Sequence, residues 1–469
     1  MRPSSMILAL VAVVALGSAS PEEPSSPLRL SVDEAVALAL KQADLVKISR
    51  FDLEAVEGQI IAARSIALPK LSLQSSFSRQ TYGHLFGGSS FGSAFSGSLP
   101  GRAATTDFYR ADLVLSQAIY LGGRGRASIR AARIGRDLAL AQIEDVTEDV
   151  VFALKSAYYR VLMERELVKV AQVSSGLTKR HLKDAIDQRG AGVATDFEVL
   201  RARVRSRAAE TDLVRARNSL ELARSTFARA LGLPPGTRTV LTDGLEHRKL
   251  IVDESSLHSD ALQHRAALKV AAIMVRGTEV MVQLARAERK PQLTFDATIG
   301  GGTDHDLLDH SNFEDDWTFG LRLTVPIFDG LSSSGKMLEE NAKLDQARAQ
   351  FESRGRDVRL DVHQALLSLS TANDLVDAQK ESVAEAARAY ELAEIRFQAG
   401  QVKQLVVFDA QAELANARRS YYQAVFEHMV AAAQIERAAG TFTPPETAKD
   451  QQVTVEPATP EAAPVEPVP

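Results

Sequence analysis

Between Leu293 and Ile327 the chain alternates apolar and polar positions in two runs. Leu293, Phe295, Ala297 and Ile299 share one face, with Thr294, Asp296 and Thr298 on the other. Trp317, Phe319, Leu321, Leu323, Val325 and Ile327 come next, against Thr318, Gly320, Arg322 and Thr324. A period of two predicts strands, over about 292–300 and 317–327. A less regular pair comes earlier. Leu71, Leu73 and Phe77, then Tyr109, Leu113, Leu115 and Ile119 against Arg110, Asp112 and Ser116, predict strands over about 71–82 and 108–120. A soluble sandwich would hide the apolar faces in a core, whereas a transmembrane barrel turns them to lipid and lines its lumen with the polar ones. Each run is close to the roughly 9–11 residues that a tilted strand needs to cross a bilayer. On that reading Leu293, Phe295, Trp317, Phe319, Leu321 and Leu323 face lipid.

Long helices flank these strands. No proline occurs between Pro100 and Pro234, and Ala139, Ile143, Val146, Val150, Ala153, Ala157 and Val161 recur at steps of three and four, a coiled-coil stripe. At 1.5 Å per residue, a helix from Arg124 to Gln188 is about 98 Å long, far more than the roughly 30 Å hydrocarbon core. It must stand outside the membrane. A turn at 190–194, around Gly192, interrupts it, and Thr195-Asp196-Phe197-Glu198 restarts it with a capping box. An earlier box, Ser31-Val32-Asp33-Glu34, opens a helix expected to run to about Leu68, where Pro69 breaks it. The plan then repeats. A helix is expected over about Ser256–Arg289, then the second strand pair, then another proline-free helix that breaks at 399–403 around Gly400. Ile119 to Ile327 and Gly192 to Gly400 are both separations of 208.

The expected organisation is therefore a signal peptide at 1–19, a linker at 20–28, a first repeat over 29–232, a linker at 233–255, a second repeat over 256–440, and a disordered acidic, Pro-rich tail at 441–469. Arg2, the apolar Met6–Leu16 and Gly17-Ser18-Ala19 make the signal. Gly83–Gly101 is rich in Gly, Ser and Phe and is expected to be a mobile loop. Apolar (45%) and charged (25%) content are those of a folded protein. The absence of cysteine excludes disulfides, thiolate metal sites and cysteine nucleophiles, and a net charge of −5 gives no reason to expect nucleic acid. No nucleophile–base pair, HExxH or P-loop is present, and Gly123-Arg124-Gly125 lacks phosphate-loop spacing. The chain reads as no enzyme, without cofactor or metal. Asp304-His305-Asp306 and Asp309-His310 read as an exposed polar loop. A structural coiled-coil scaffold explains the helices but neither the lipid-ready strand faces nor the duplication.

The order of these features resembles the TolC family of outer-membrane efflux proteins over about Leu30 to Gly440. The resemblance is carried by Leu30-Ser31-Val32-Asp33-Glu34-Ala35-Val36, by Pro326-Ile327-Phe328-Asp329-Gly330, by Phe397-Gln398-Ala399-Gly400 and by Val407-Phe408-Asp409-Ala410-Gln411. An Asn-Pro usual in the first helix is Gln42-Ala43 here, and a usual Arg-Pro-Asp-Leu is Arg265-Ala266-Ala267-Leu268. The resemblance implies a mainly α fold with transmembrane β: a long α-helical coiled-coil barrel, plus four strands per chain that close a 12-stranded β-barrel in a homotrimer. Four strands alone cannot close, since small barrels need about eight. It further implies outer-membrane lipid, a periplasmic adaptor (membrane fusion protein) and an inner-membrane pump of the RND, ABC or MFS class as partners. Gly192 and Gly400 would be adaptor-docking turns, and Glu198 and Asp409 would line the periplasmic aperture. Val406 stands where the family has a further acid, so the acidic ring is reduced.

Overall fold

The computed structural model describes residues 28–82, 104–303 and 314–441. The expected signal, the Gly/Ser loop at 83–101, the His/Asp group at 304–310 and the tail beyond Thr441 lie outside them. The chain opens with a short strand β1 (Leu28–Leu30), then α1 (Val32–Gln42) and α2 (Asp44–Arg64). Strands β2 (Lys70–Tyr82) and β3 (Ala104–Leu121) lead into α3 (Arg124–Gly190) and α4 (Asp196–Ala230). After β4 (Thr239–Leu241) come α5 (Glu254–His264), α6 (Ala266–Ala287), β5 (Gln292–Thr303), β6 (Glu314–Thr324), α7 (Ser332–Gln398) and α8 (Gln404–Ala439). Helices α3 and α7 each have 67 residues, about 100 Å of helix.

The four long strands form one antiparallel sheet in the order β2-β3-β5-β6. Register aligns Leu73, Leu113, Ile299 and Trp317 across it, and one step along the same face Leu71, Leu115, Ala297 and Phe319. Among the described residues the outer edges of β2 and β6 have no partner strand, and an open edge on strands this long invites pairing with another chain. Three copies bring twelve strands and close the barrel. Two details depart from the sequence expectation. β6 ends at Thr324 instead of reaching Ile327, because Pro326 has no N–H to give the ladder. In β3 the register shifts between Ala118 and Tyr120, so that Tyr120 pairs with Leu293 and Ile119 is the extra residue of a bulge. Tyr120, not Ile119, therefore continues the apolar face.

The helices expected over Ser31–Leu68 and Ser256–Arg289 are each broken once, though no proline stands at either break. Ala43 (φ −59°, ψ 129°) and Arg265 (φ −57°, ψ 119°) leave helical geometry in the same way. The cause is tertiary. The chain leaving α4 brings Gly232 so close to the first break that a Cβ there would lie 2.5 Å from the Gln42 carbonyl oxygen. Gly440, ending α8, would meet the Arg265 nitrogen at 2.8 Å. Both glycines have positive φ, which a residue without Cβ adopts freely. At the second break Arg265 is buried in an ion pair with Glu148 of α3 (2.5 Å), and its guanidinium also donates to the Arg437 carbonyl.

The linker over 233–255 is structured too. β1 pairs in parallel with β4, Leu28 opposite Thr239. The Asp243 carboxylate behind them accepts from Val32 N (2.9 Å) and from the buried Tyr158 hydroxyl (2.7 Å). Tyr158, Leu154, Leu162 and Phe227 centre the largest core cluster, between α1, α3 and α4. Val358, Val362, Ala365 and Leu369 of α7 form its counterpart with α5 and α8.

Candidate functional site: the helical tip and the strand faces

At the end of α3 the Gly192 N–H donates to the Arg189 carbonyl (3.0 Å) and Val193 N–H to the Gln188 carbonyl (2.9 Å). At the end of α7, Gly400 donates to Phe397 (2.9 Å) and Gln401 to Arg396 (2.9 Å). Both are Schellman turns, with glycine at the position that must be left-handed, at φ +77° and +74°. A Cβ added to either would meet no atom within 4 Å. The two turns are matched in backbone and open in front.

The helices beyond the two turns start differently. Thr195 caps α4 in a complete capping box with Glu198. The Glu198 carboxylate accepts from Thr195 N (2.8 Å) and from its hydroxyl (3.0 Å), and the backbone bond and then the hydroxyl bond hold it below its ordinary range. It is a fixed negative charge at an exposed helix start. Helix α8 begins at Lys403 with no side-chain cap. Asp409 lies a turn further on and is paired with Arg205 of α4 (3.2 Å). Arg205 also stands over the Phe408 ring, 5.8 Å from its centroid. The structure does not bring Glu198 and Asp409 together, since the partner of Asp409 is seven residues, or about two turns, beyond Glu198 along α4.

Sequence reasoning missed three features of this tip. Phe408 is buried against Ala185, Val199 and Ala202, joining α8 to the α3/α4 pair. His181 of α3 meets it edge-on at 5.3 Å, is itself buried, and has no hydrogen-bond partner on either ring nitrogen. Burial holds its pKa down, against the pull of Asp184 and Glu394 and with some help from Arg180. Lastly, Phe197, Leu200 and Val204 form an exposed apolar stripe on α4; their three-and-four spacing was legible, but not that the chain leaves them uncovered.

On the sheet, Trp317, Phe319, Leu321 and Leu323 are exposed, and Leu293 and Phe295 half-buried, all on the apolar face. Trp317 and Phe319 stack, with centroids 5.6 Å apart. The opposite face carries paired charge: Arg110 bridges Asp112 (2.8 Å) and Asp316 (3.2 Å), and Asp296 faces Arg322 (3.7 Å) and accepts from Ser116 (2.8 Å). Arg79 and Asp107 pair at 2.6 Å on the apolar side, beyond Phe77 and Tyr109. Among the described residues no helix is long and apolar enough to cross a membrane.

Comparison with known proteins agrees with this geometry. The profile of the outer membrane efflux protein family matches residues 35–233 and 257–441. The cobalt-zinc-cadmium resistance protein CzcC of Cupriavidus metallidurans is 24% identical over 421 residues, 90% of this chain and 92% of that protein. The CmeC outer membrane channel of Campylobacter jejuni superposes with a TM-score of 0.76 at 17% identity, over 89% of this chain and 88% of its own. The outer membrane protein VceC of Vibrio cholerae gives 0.71 at 19% identity, covering 87% and 96%.

Proposed function

Because the chain belongs to the outer membrane efflux protein family, we propose that its matched tip turns are the docking notches of an export duct. The protein is a trimeric outer-membrane channel: a twelve-stranded barrel in the membrane, continued by a helical tunnel in the periplasm. Members of the family work with periplasmic adaptors and inner-membrane pumps. For this chain we assign the adaptor hairpins to Gly192 and Gly400, six notches per trimer, and the pump to the RND, ABC or MFS class. Glu198 and the Arg205-paired Asp409 line the aperture inside that ring. Leu293, Phe295, Trp317, Phe319, Leu321 and Leu323 meet lipid, and the Arg110, Asp112, Asp296, Asp316 and Arg322 face lines the lumen. The protein is a conduit and does no chemistry on its cargo.

One observation carries the docking assignment: two turns 208 residues apart share Schellman geometry and leave the same open space before the glycine Cα. Helix termination alone would accept any residue that tolerates the left-handed region, asparagine included. Gly400→Asn should therefore keep a folded outer-membrane trimer while lowering both cross-linking to the adaptor and export. Normal export by that variant would remove the docking role. Loss of the trimer would show that the turn is chiefly structural.

A further inference from the structure

After β4 the chain runs as a strap, residues 242–253, from the first helical repeat on to the second. It is tied down there by Lys249 with Asp377 of α7 (3.5 Å) and by the Asn373 side-chain amide, which donates to the Leu250 carbonyl (3.3 Å). Between those ties and β4, His247 of the strap lies against His428 of α8. The ring centroids are 4.5 Å apart, with the planes inclined at 77°. His428 is 4% exposed. Neither of its ring nitrogens has a hydrogen-bond partner, and nor has Nε2 of His247.

Packing does not require this arrangement. Each buried polar atom left without a partner costs about 1–3 kcal/mol. The repeat itself shows what serves packing at this position: 208 residues earlier stands Leu220, part of the largest core cluster. The second repeat thus has a histidine where the first has a core leucine, and a second histidine from a distant segment lies against it. A neutral imidazole ring keeps one free lone pair.

We propose that His247 and His428 form a two-imidazole site for a borderline first-row transition-metal ion of the Zn²⁺ kind, which pins the strap to α8. Imidazole nitrogen is a preferred donor for such ions. With metal–nitrogen bonds of about 2.0–2.1 Å, two imidazoles on one ion stand with centroids roughly 4.5 Å apart at a right angle and about 5.2 Å at the tetrahedral one, so the 4.5 Å found here needs at most a small opening. The χ2 torsion that aims the ring nitrogens is soft. No third histidine or carboxylate joins the pair among the described residues. Water completes the shell, and the ion exchanges.

The test uses the full-length trimer in detergent, stripped with chelator and titrated with Zn²⁺ by calorimetry and with Cu²⁺ by electron paramagnetic resonance. His428→Leu restores the residue type of the first repeat, and His247→Ala changes only the half-buried strap, so at least one variant will fold. The wild type should take one more Zn²⁺ per chain than either variant, and its Cu²⁺ spectrum should show coupling to two nitrogens that both variants lose. Without metal, His428→Leu should melt no lower than wild type. The proposal is overturned if the wild type takes up no Zn²⁺, or if both variants keep its stoichiometry and spectrum.

Discussion

The two halves of the chain have one plan, yet the same seam is closed in one place and open in another. Within the chain, α3 packs on both α6 and α8. On that seam Ile273 of α6 is 7% exposed and Phe408 of α8 is 4% exposed. The helices that correspond to α6 and α8 in the first repeat are α2 and α4. Phe51 answers to Ile273, 222 residues apart, and Leu200 to Phe408, 208 apart. Phe51 is 67% exposed and Leu200 58%. Their natural partner is a helix equivalent to α3, which is α7, and α7 does not pack closely on α2 or α4 of its own chain. The closed seam, where Phe408 meets His181 and Ala185, is thus a template for the open one, and it predicts that α2 and α4 of one copy close on α7 of the next in the trimer, with Leu200 against the neighbour's residues 389–393.

The largest effects should fall on the two sides of this comparison in different ways. Phe408→Ala empties a buried position and should cost about 3–5 kcal/mol, seen as proteolysis of the tip even before assembly. Leu200→Ala should leave the isolated chain untouched, because the side chain is mostly exposed there. It should instead weaken the trimer by about 2 kcal/mol per interface, read as a lower dissociation temperature of the detergent-resistant trimer. Should Leu200→Ala leave the trimer unchanged, the template would be wrong at this level.

Much of this was legible in the sequence, and what was not has a common cause. Alternation placed all four strands within a few residues, and the absence of proline gave both long helices, because those signals are local. The separation rises from 208 to 222 for residues ahead of the strands, as from Pro69 to Pro291; the first strand pair with its loop is longer than the second by that difference of 14. The misses are contacts between distant residues. Arg205 finds Asp409 across 204 positions. Leu28–Leu30 pairs with Thr239–Leu241 through strands too short to show a period. The breaks at Ala43 and Arg265 carry no proline, and their cause, the arriving Gly232 and Gly440, lies at the far end of each repeat. Phe408 and Leu200 are both apolar on a helix, and nothing in the pattern tells the covered one from the open one.

A smaller effect should separate the closed seam from the open one by pH. His181 belongs to the closed seam; its counterpart in the second repeat is Ala389. The groups acting on it are Arg180 and Asp184 of α3 and Glu394 of α7, while α8 presents the uncharged Phe408 and Gln404. The Arg205–Asp409 pair lies across the Phe408 ring. Burial wins over these charges and holds the packed histidine below the ordinary value of about 6.5. The packed tip therefore binds fewer protons than an opened one. Its stability is full above about pH 6.5 and falls as pH drops from there toward the depressed value. Protection from hydrogen exchange along α3 and α8 at the tip should fall with acid in the wild type and not in His181→Phe. An unchanged acid response in that variant would place the titrating group elsewhere.

The smallest effect concerns the turn from barrel to tunnel, where the repeats solve one problem with different residues. Gly122 (φ +63°) and Gly123 (φ +91°) make the first turn, and Gly330 (φ +65°) and Leu331 (φ +70°) the second. Leu331 is the sole positive-φ residue other than glycine among the described residues, and a side chain in that region costs about 1–2 kcal/mol. A Cβ at Gly123 would meet nothing within 4 Å, so space does not explain why the first repeat has glycine there. Backbone strain alone then predicts a reciprocal pair: Leu331→Gly should raise trimer stability by about 1 kcal/mol, and Gly123→Leu should lower it by a similar amount. Thermal melting of the two trimers decides it. If Leu331→Gly melts lower than wild type, the exposed leucine makes contacts in the assembled trimer or its lipid that outweigh the strain. The second turn would then be the one held under tension for function, and the first its relaxed copy.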